Sequence, residues 1–353
     1  MRKLRVGLIG LGHVAQTCHL PGMKTATNAQ AVAGAELRKD LRESVCSKWG
    51  IEPYENFQDM IRKENLDIAC VTTGPRFSPA VTEQVAEAGV NVLVEKPMAL
   101  TLKEARSMIE GCSRHGVKLF YGESFRFFPT CRKAKEMIDA RQLGDVSLVL
   151  ETFVGGQGAK NYEAYDIYPS GAPGAGPMGL TDHGIHLVDL FRWFTSSEVE
   201  WVFGRGNRAG QQPATELLTM KAAGGAIGQF VCNEATHFSD LPGEGTFSWG
   251  PYESAGGPAW DRHPVNLRIH GTEGALRVYP YPNKLFYFKE DEQKPIKVLD
   301  CPHPAQFGLQ MDSFARSILN GDAPEITGED GFHALQIILA AYESHETLRV
   351  ISL

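Results

Sequence analysis

The hydrophobic pattern changes character about a third of the way along the chain. Up to residue 122, short and nearly continuous apolar runs alternate with stretches whose apolar residues recur every three or four positions. The runs Leu4–Ile9, Ala31–Glu36, Asp67–Thr72, Val90–Glu95 and Lys118–Gly122 predict strands. Leu41–Trp49, Phe57–Glu64, Ser78–Ala88 and Leu102–His115 predict helices between them. Strands that are apolar on both faces belong to a parallel sheet covered by helices on both sides. Residues 1–123 are therefore expected to form a doubly wound α/β domain.

Beyond residue 123 the pattern turns to alternation. Val146–Val154, Val199–Gly206, Glu216–Lys221, Ala226–Glu234, Asn266–Gly271, Ala275–Tyr279 and Leu285–Phe288 predict an open, mostly antiparallel sheet. Helices are expected near Thr181–Phe194 and Gln310–Asn320. A last helix over 331–346 carries Leu335, Ile338, Leu339 and Tyr342 at packing spacing and can fold back on the first domain. Residues 124–353 thus read as an α+β domain. Two stretches rich in glycine, proline and aromatics, Gly155–Gly179 and His237–Pro264, are too long for ordinary connections and point to functional loops.

A length of 353 residues suits two domains. The net charge of −7 argues against a general nucleic-acid binder, which needs a cationic face. No apolar run approaches the ~20 residues that cross a bilayer, so no membrane partner is expected. The basic start MRKLRVGLIG meets glycines at once and reads as the first strand, not a leader. Seven scattered cysteines without a C-x-x-C pair fit free thiols in a reducing cytoplasm and offer no zinc site.

The first strand runs into Gly10-Leu11-Gly12-His13-Val14-Ala15, a G-x-G-x-x-A turn placed after a strand and opening a helix. Gly10 permits the tight turn, Gly12 lets a pyrophosphate approach the backbone, and Ala15 lets the helix pack closely. This is the Rossmann arrangement for a dinucleotide. Glu36 ends the second strand about 20 residues on, where a carboxylate accepts from ribose hydroxyls. Glu36 favours NAD, while Arg38-Lys39 directly after it leaves NADP open. The candidate cofactor-binding residues are Gly10, Gly12, His13, Val14, Glu36 and Arg38, joined by Thr73, Glu95, Lys96 and Pro97 on the same rim.

Lys96 follows the strand Val90–Glu95 at its carboxyl end, where such sheets bind ligands. Its ammonium can polarise a carbonyl or stabilise an alkoxide, and Pro97 can fix its direction. Further on, Asp182 and His186 stand four apart and share a face if the segment is helical, with Asp189 a turn beyond. Imidazole exchanges protons with alcohols near neutral pH, and a carboxylate can orient it. A metal set of Asp182, His183 and His186 has no further ligand cluster behind it, and none is expected.

With these motifs the sequence resembles the Gfo/Idh/MocA family, named for glucose–fructose oxidoreductase and inositol dehydrogenase. The match runs in order through GLIGLGHVAQ, the EKP of Glu95–Pro97, SFRFFP at Ser124–Pro129, DHGIH at Asp182–His186, HGTEGALRV at His270–Val278 and TGEDGFHALQIILAAYES at Thr327–Ser344. The resemblance implies hydride transfer with a nicotinamide, Lys96, Asp182 and His186 as the catalytic group, and a second domain whose open sheet supports a homodimer or homotetramer. Arg126 and Pro129 match the family's R-x-x-P entry to that domain. One departure stands out: where the family often has a histidine after the fourth strand, this chain has Ser78, with Arg76 two residues earlier.

The expected reaction interconverts a secondary alcohol and a ketone on a sugar, cyclitol or related polyol. Either His186 or Lys96 takes the hydroxyl proton. Aromatic residues of the long loops suit sugar faces, and equally the anchoring of the loops or an oligomer interface; on the first reading Tyr165, Trp260 and His263, with Arg126, are the candidate substrate contacts. Two alternatives remain: transient redox that permits elimination from a glycoside, and a non-catalytic NAD-sensing regulator on the same scaffold.

Overall fold

The structure is a computed structural model that describes residues 2–154, 179–206, 215–233, 267–290, 292–301 and 303–353. The chain clusters into two compact units, residues 1–127 with 304–335 and residues 128–303 with 336–353.

The first unit holds a six-stranded sheet built from β1 (Leu4–Ile9), β2 (Ala29–Ala35), β3 (Glu52–Tyr54), β4 (Ile68–Val71), β5 (Asn91–Glu95) and β6 (Leu119–Gly122). The order is β3-β2-β1-β4-β5-β6 and every pairing is parallel. Val6, Leu8, Ile68, Val71, Val92, Leu93, Val94 and Phe120 are buried in it, each stabilising the fold by roughly 1.5–3 kcal/mol. The helix Phe57–Glu64 starts at Asn56, whose side chain accepts from Asp59 N at 2.9 Å. Leu102–Arg114 starts on a capping box between Thr101 and Glu104. β3 escapes the sequence pattern because its residues, Glu-Pro-Tyr, offer no apolar run and remain partly exposed.

The helix Gln306–Asn320 belongs to this unit because its side chains reach the sheet. Phe314 packs its ring 4.8 Å from that of Phe120. Asp312 accepts from Thr27 N at 2.9 Å, Asn28 N at 2.7 Å and Thr27 Oγ1 at 2.8 Å, just ahead of β2.

The second unit holds a nine-stranded sheet among the described residues, in the order β14-β13-β12-β11-β7-β10-β9-β8-β15. Its strands are β7 (Val146–Val154), β8 (Val199–Gly206), β9 (Thr215–Ala222), β10 (Ile227–Asn233), β11 (Leu267–Gly271), β12 (Ala275–Tyr279), β13 (Lys284–Lys289), β14 (Glu292–Ile296) and β15 (Ile351–Ser352). β10 and β7 pair in parallel and the other neighbours are antiparallel. Alternation is clean in β9, where Glu216, Leu218, Met220 and Ala222 are buried and the residues between them are not. Gly204 on β8 is needed for close approach: a Cβ there would lie 2.2 Å from the Ala341 carbonyl oxygen.

The helix Pro129–Asp139 was not expected from the sequence, although Cys131, Ala134, Met137 and Ile138 form its buried stripe. Charged residues between them dilute the apolar signal. β14 was missed for the opposite reason, since its mostly exposed residues carry almost no apolar pattern. Among the described residues no helix is long and apolar enough to cross a membrane. All seven cysteines are buried. The two long aromatic stretches lie outside the described residues, apart from Gly179.

The Asp312 clasp generates a stability test. Asp312→Ala removes the shared acceptor of the part-buried Thr27 and Asn28 amides and should cost about 1–3 kcal/mol in urea unfolding. A loss below about 0.5 kcal/mol would show that the clasp is dispensable.

Candidate active site

The glycine turn is held from both neighbouring strands. Gly10 adopts φ +91°, donates its N–H to Ala35 O at 2.9 Å and leaves only 3.1 Å between a hypothetical Cβ and Thr72 O. Thr72 Oγ1 in turn donates to Gly10 O at 2.6 Å. Gly12 differs, because a Cβ there would meet no atom within 4 Å. Its open face is what a pyrophosphate needs, and the helical run containing His13 and Val14 begins directly beyond it. Burial lowers the His13 imidazole, keeping it neutral near pH 7.

Glu36 lies just past β2 and folds back on this turn. Its Oε2 accepts from Leu11 N at 3.1 Å, and its Oε1 accepts from Arg38 N at 3.1 Å and Arg38 Nε at 2.9 Å. Burial would raise this carboxyl, but the Arg38 and Leu11 donors outweigh it and hold it below the usual carboxylate range. Glu36 is thus ionised, with Arg38 turned onto it. These groups fit the ribose end of a nicotinamide dinucleotide, and Gly12 fits its pyrophosphate.

Thr73 Oγ1 lies 3.2 Å from Ser78 Oγ, and Ser78 is fully buried with its hydroxyl directed at the Thr73 and Gly74 carbonyls. The serine where the resemblance expects a histidine is therefore engaged inside the turn. Arg76 is exposed and sits 5.8 Å from the Phe77 ring.

Lys96 is half-buried at the carboxyl end of β5, and the Lys96–Pro97 peptide is cis. Its backbone N–H donates to Glu95 Oε2 at 3.0 Å. Glu95 Oε1 meets His19 Nε2 at 2.6 Å, with both residues buried. Burial would lower the His19 imidazole, but the Cys70 sulfur and the Glu95 carboxylate outweigh it and hold it up at about 10. His19 escaped the sequence reading because a histidine inside a helical stretch gives no hint of a partner 76 residues away.

Glu123, immediately after β6, is fully buried and accepts from Phe125 N at 3.0 Å. Burial pushes its carboxyl up to about 8, against the pull of Phe125 N, Arg126 and Lys96. Arg126 is buried and pairs with Asp330 at 3.0 Å, within the same unit. That pairing gives Arg126 a structural task.

The second unit contributes the turn Gly179–Gly184 and the helix Ile185–Thr195 that continues it. The segment is helical throughout, so Asp182, half-exposed, and His186, buried, share a face. Three neighbours of Asp182 anchor the turn. Leu180 N donates to buried Glu216 Oε2 at 2.9 Å, Thr181 Oγ1 lies 2.9 Å from the Tyr342 hydroxyl, and His183 Nε2 lies 2.8 Å from Glu151 Oε1. His183 is thereby directed at β7, and its ring meets that of His186 edge-on at 6.3 Å between centroids. Asp189 is fully buried. Lys96 stands in the first unit and Asp182 with His186 in the second. Tyr165, Trp260 and His263 lie outside the described residues.

Residues 4–123 match the profile of an oxidoreductase family with an NAD-binding Rossmann fold, and residues 131–277 match the GFO/IDH/MocA C-terminal domain. The chain is 25% identical to D-apiose dehydrogenase of Paraburkholderia graminis, over 100% of this chain and 90% of that enzyme. It is 25% identical to myo-inositol 2-dehydrogenase of Thermotoga maritima, over 99% and 98%. Among solved structures, aldose-aldose oxidoreductase from Caulobacter crescentus, complexed with glycerol, shares the fold at a TM-score of 0.81 and 23% identity, with 100% of each chain covered.

Glu123 generates a pH test. Its folded value of about 8 exceeds the ordinary carboxylate value, so its contribution to stability is full at low pH. That contribution is lost as pH rises toward 8. Glu123→Gln stays neutral throughout, so its stability relative to wild type should grow between about pH 5 and pH 8 and level off above. Urea unfolding at several pH values reads this difference, and a flat difference would contradict the assignment.

Proposed function

The chain belongs to the Gfo/Idh/MocA family of oxidoreductases, and from that membership we propose that it interconverts a secondary alcohol and a ketone on a sugar, cyclitol or related polyol, with NAD as cofactor. The observation that carries the cofactor choice is the Glu36 carboxylate, ionised and clasped on Leu11 N beside the open face of Gly12. A 2′-phosphate there would face a negative charge, and Arg38 would have to give up its bond to Glu36 to meet it. The polyol class is supported by the apiose and inositol dehydrogenases that align along nearly the whole chain.

A bound nicotinamide supplies the two-electron acceptor or donor. The chain's own residues orient the substrate and handle its proton. His186 holds the hydroxyl proton on its imidazole, and Lys96 Nζ stabilises the charge that develops on the same oxygen. Asp182, on the His186 face, orients that imidazole. Lys96 is the other group able to accept the proton. Homodimer or homotetramer assembly and a cytoplasmic location are part of the same reading.

Turnover of myo-inositol, D-apiose, D-xylose and methyl glucoside with NAD and NADP tests the proposal. Wild type should prefer NAD in kcat/KM, and Glu36→Ser should move the ratio toward NADP by about 10-fold or more, since relieving repulsion lets Arg38 pair with the phosphate. A wild-type preference for NADP would overturn the choice.

At saturating NADH, Lys96→Ala and His186→Ala should each lose about 10²–10⁴ in turnover. Their combination should cost far less than the product of the two losses, because the groups act as one unit. Asp182→Asn should lower the His186 pKa and carry the acidic limb of the kcat/KM profile to lower pH. Near wild-type turnover in both single variants would remove this catalytic group.

A further inference from the structure

We infer that His19 is a positioning residue for Lys96, acting through the Glu95 carboxylate; the inference rests on the chemical role of Lys96 given above. Glu95 uses its two oxygens for different tasks. Oε2 takes the backbone N–H of Lys96 at 3.0 Å, and Oε1 takes His19 Nε2 at 2.6 Å. With one oxygen fixed by the imidazole, the carboxylate cannot rotate away from the Lys96 amide, so the main chain from which the lysine side chain departs has a set direction.

The imidazole is itself fixed from three sides. Its Nε2 faces Glu95 on β5, its Nδ1 lies 3.6 Å from Cys70 Sγ on β4, and Phe307 of the helix Gln306–Asn320 meets its ring edge-on at 5.0 Å. On the far side of Glu95, Gly122 is its register partner on β6, and a Cβ there would stand 2.8 Å from Val94 O and 3.5 Å from Glu95 Oε1. The carboxylate is therefore enclosed between His19 and a backbone that tolerates no side chain.

Stability alone does not account for the pair. A buried ion pair gives back in attraction about what its desolvation costs, and apolar groups of similar volume usually do as well. What the pair supplies here is direction, on the residue next to the proposed chemistry. His19 also lies in the helical run that begins at the glycine turn, nine residues beyond Gly10. The segment that would hold the pyrophosphate thus also orients the lysine.

The full-length chain tests this with His19→Ala and with His19→Gln, which keeps an N–H donor for Glu95. Each is made in the wild-type and Lys96→Ala backgrounds and assayed with NAD and the best substrate of the four polyols. The amide proton of Lys96 is read by NMR in the cofactor-free protein. In the wild-type background His19→Ala should lower kcat about 10- to 100-fold, the range expected when a reacting group is misplaced by about an ångström, with KM and the NADH Kd nearly unchanged. His19→Gln should recover part of that loss. In the Lys96→Ala background His19→Ala should change kcat less than about twofold, because a residue that acts through Lys96 has nothing left to position. The Lys96 amide should move upfield in His19→Ala as its bond to Glu95 weakens.

Equal losses in both backgrounds, or an unmoved Lys96 amide, would overturn the inference. Should Lys96→Ala turn over normally, the chemical role of Lys96 falls, while the amide shift still decides whether His19 sets the main chain there.

Discussion

The strand order of the first sheet reverses between β1 and β4, and the crevice this leaves at the carboxyl ends is the constraint on which the rest of the site depends. Gly10 stands at that reversal, bonded to Ala35 on one side and to Thr72 on the other. Because the turn is fixed by its two neighbours, Gly12 opens outward and Glu36 can reach back to Leu11 N. Lys96 and Glu123 lie past the next two strands on the same rim. One topological feature therefore gathers the proposed cofactor groups and the proposed lysine.

Each unit keeps buried titratable groups that a stability argument alone would remove. His19 with Glu95 and Arg126 with Asp330 are paired inside the first unit, and His183 with Glu151 inside the second. Glu123 avoids the cost of buried charge by holding its proton to about pH 8. Buried pairs are weak sources of stability. Their common property here is position, since each adjoins a segment that carries a candidate site residue.

The sequence disclosed what local patterns encode. Strands buried on both faces read as apolar runs, so β1, β4 and β5 were legible, and the glycine turn followed from residue spacing. β3 and β14 had no such signal, being short, polar and partly exposed. The Asp182–His186 spacing was legible because a helix fixes it locally. The partners of His19 and His183 were not, because the packing of a helical segment on a distant strand, and not sequence proximity, brings Glu95 and Glu151 to them. Ser78 was visible as a departure from the family, but its bonds to the Thr73 and Gly74 carbonyls depend on the conformation of the turn.

The central claim is that a carbon-bound hydrogen of a polyol passes to a nicotinamide on this chain. The most direct measurement supplies each of the four polyols deuterated at its hydroxyl-bearing carbons, with NAD, and follows the label by mass spectrometry. Deuterium in the reduced cofactor, with the matching ketone as product, is the expected result. Product formed while the cofactor stays unlabelled and oxidised, or no product from any of the four, would contradict it.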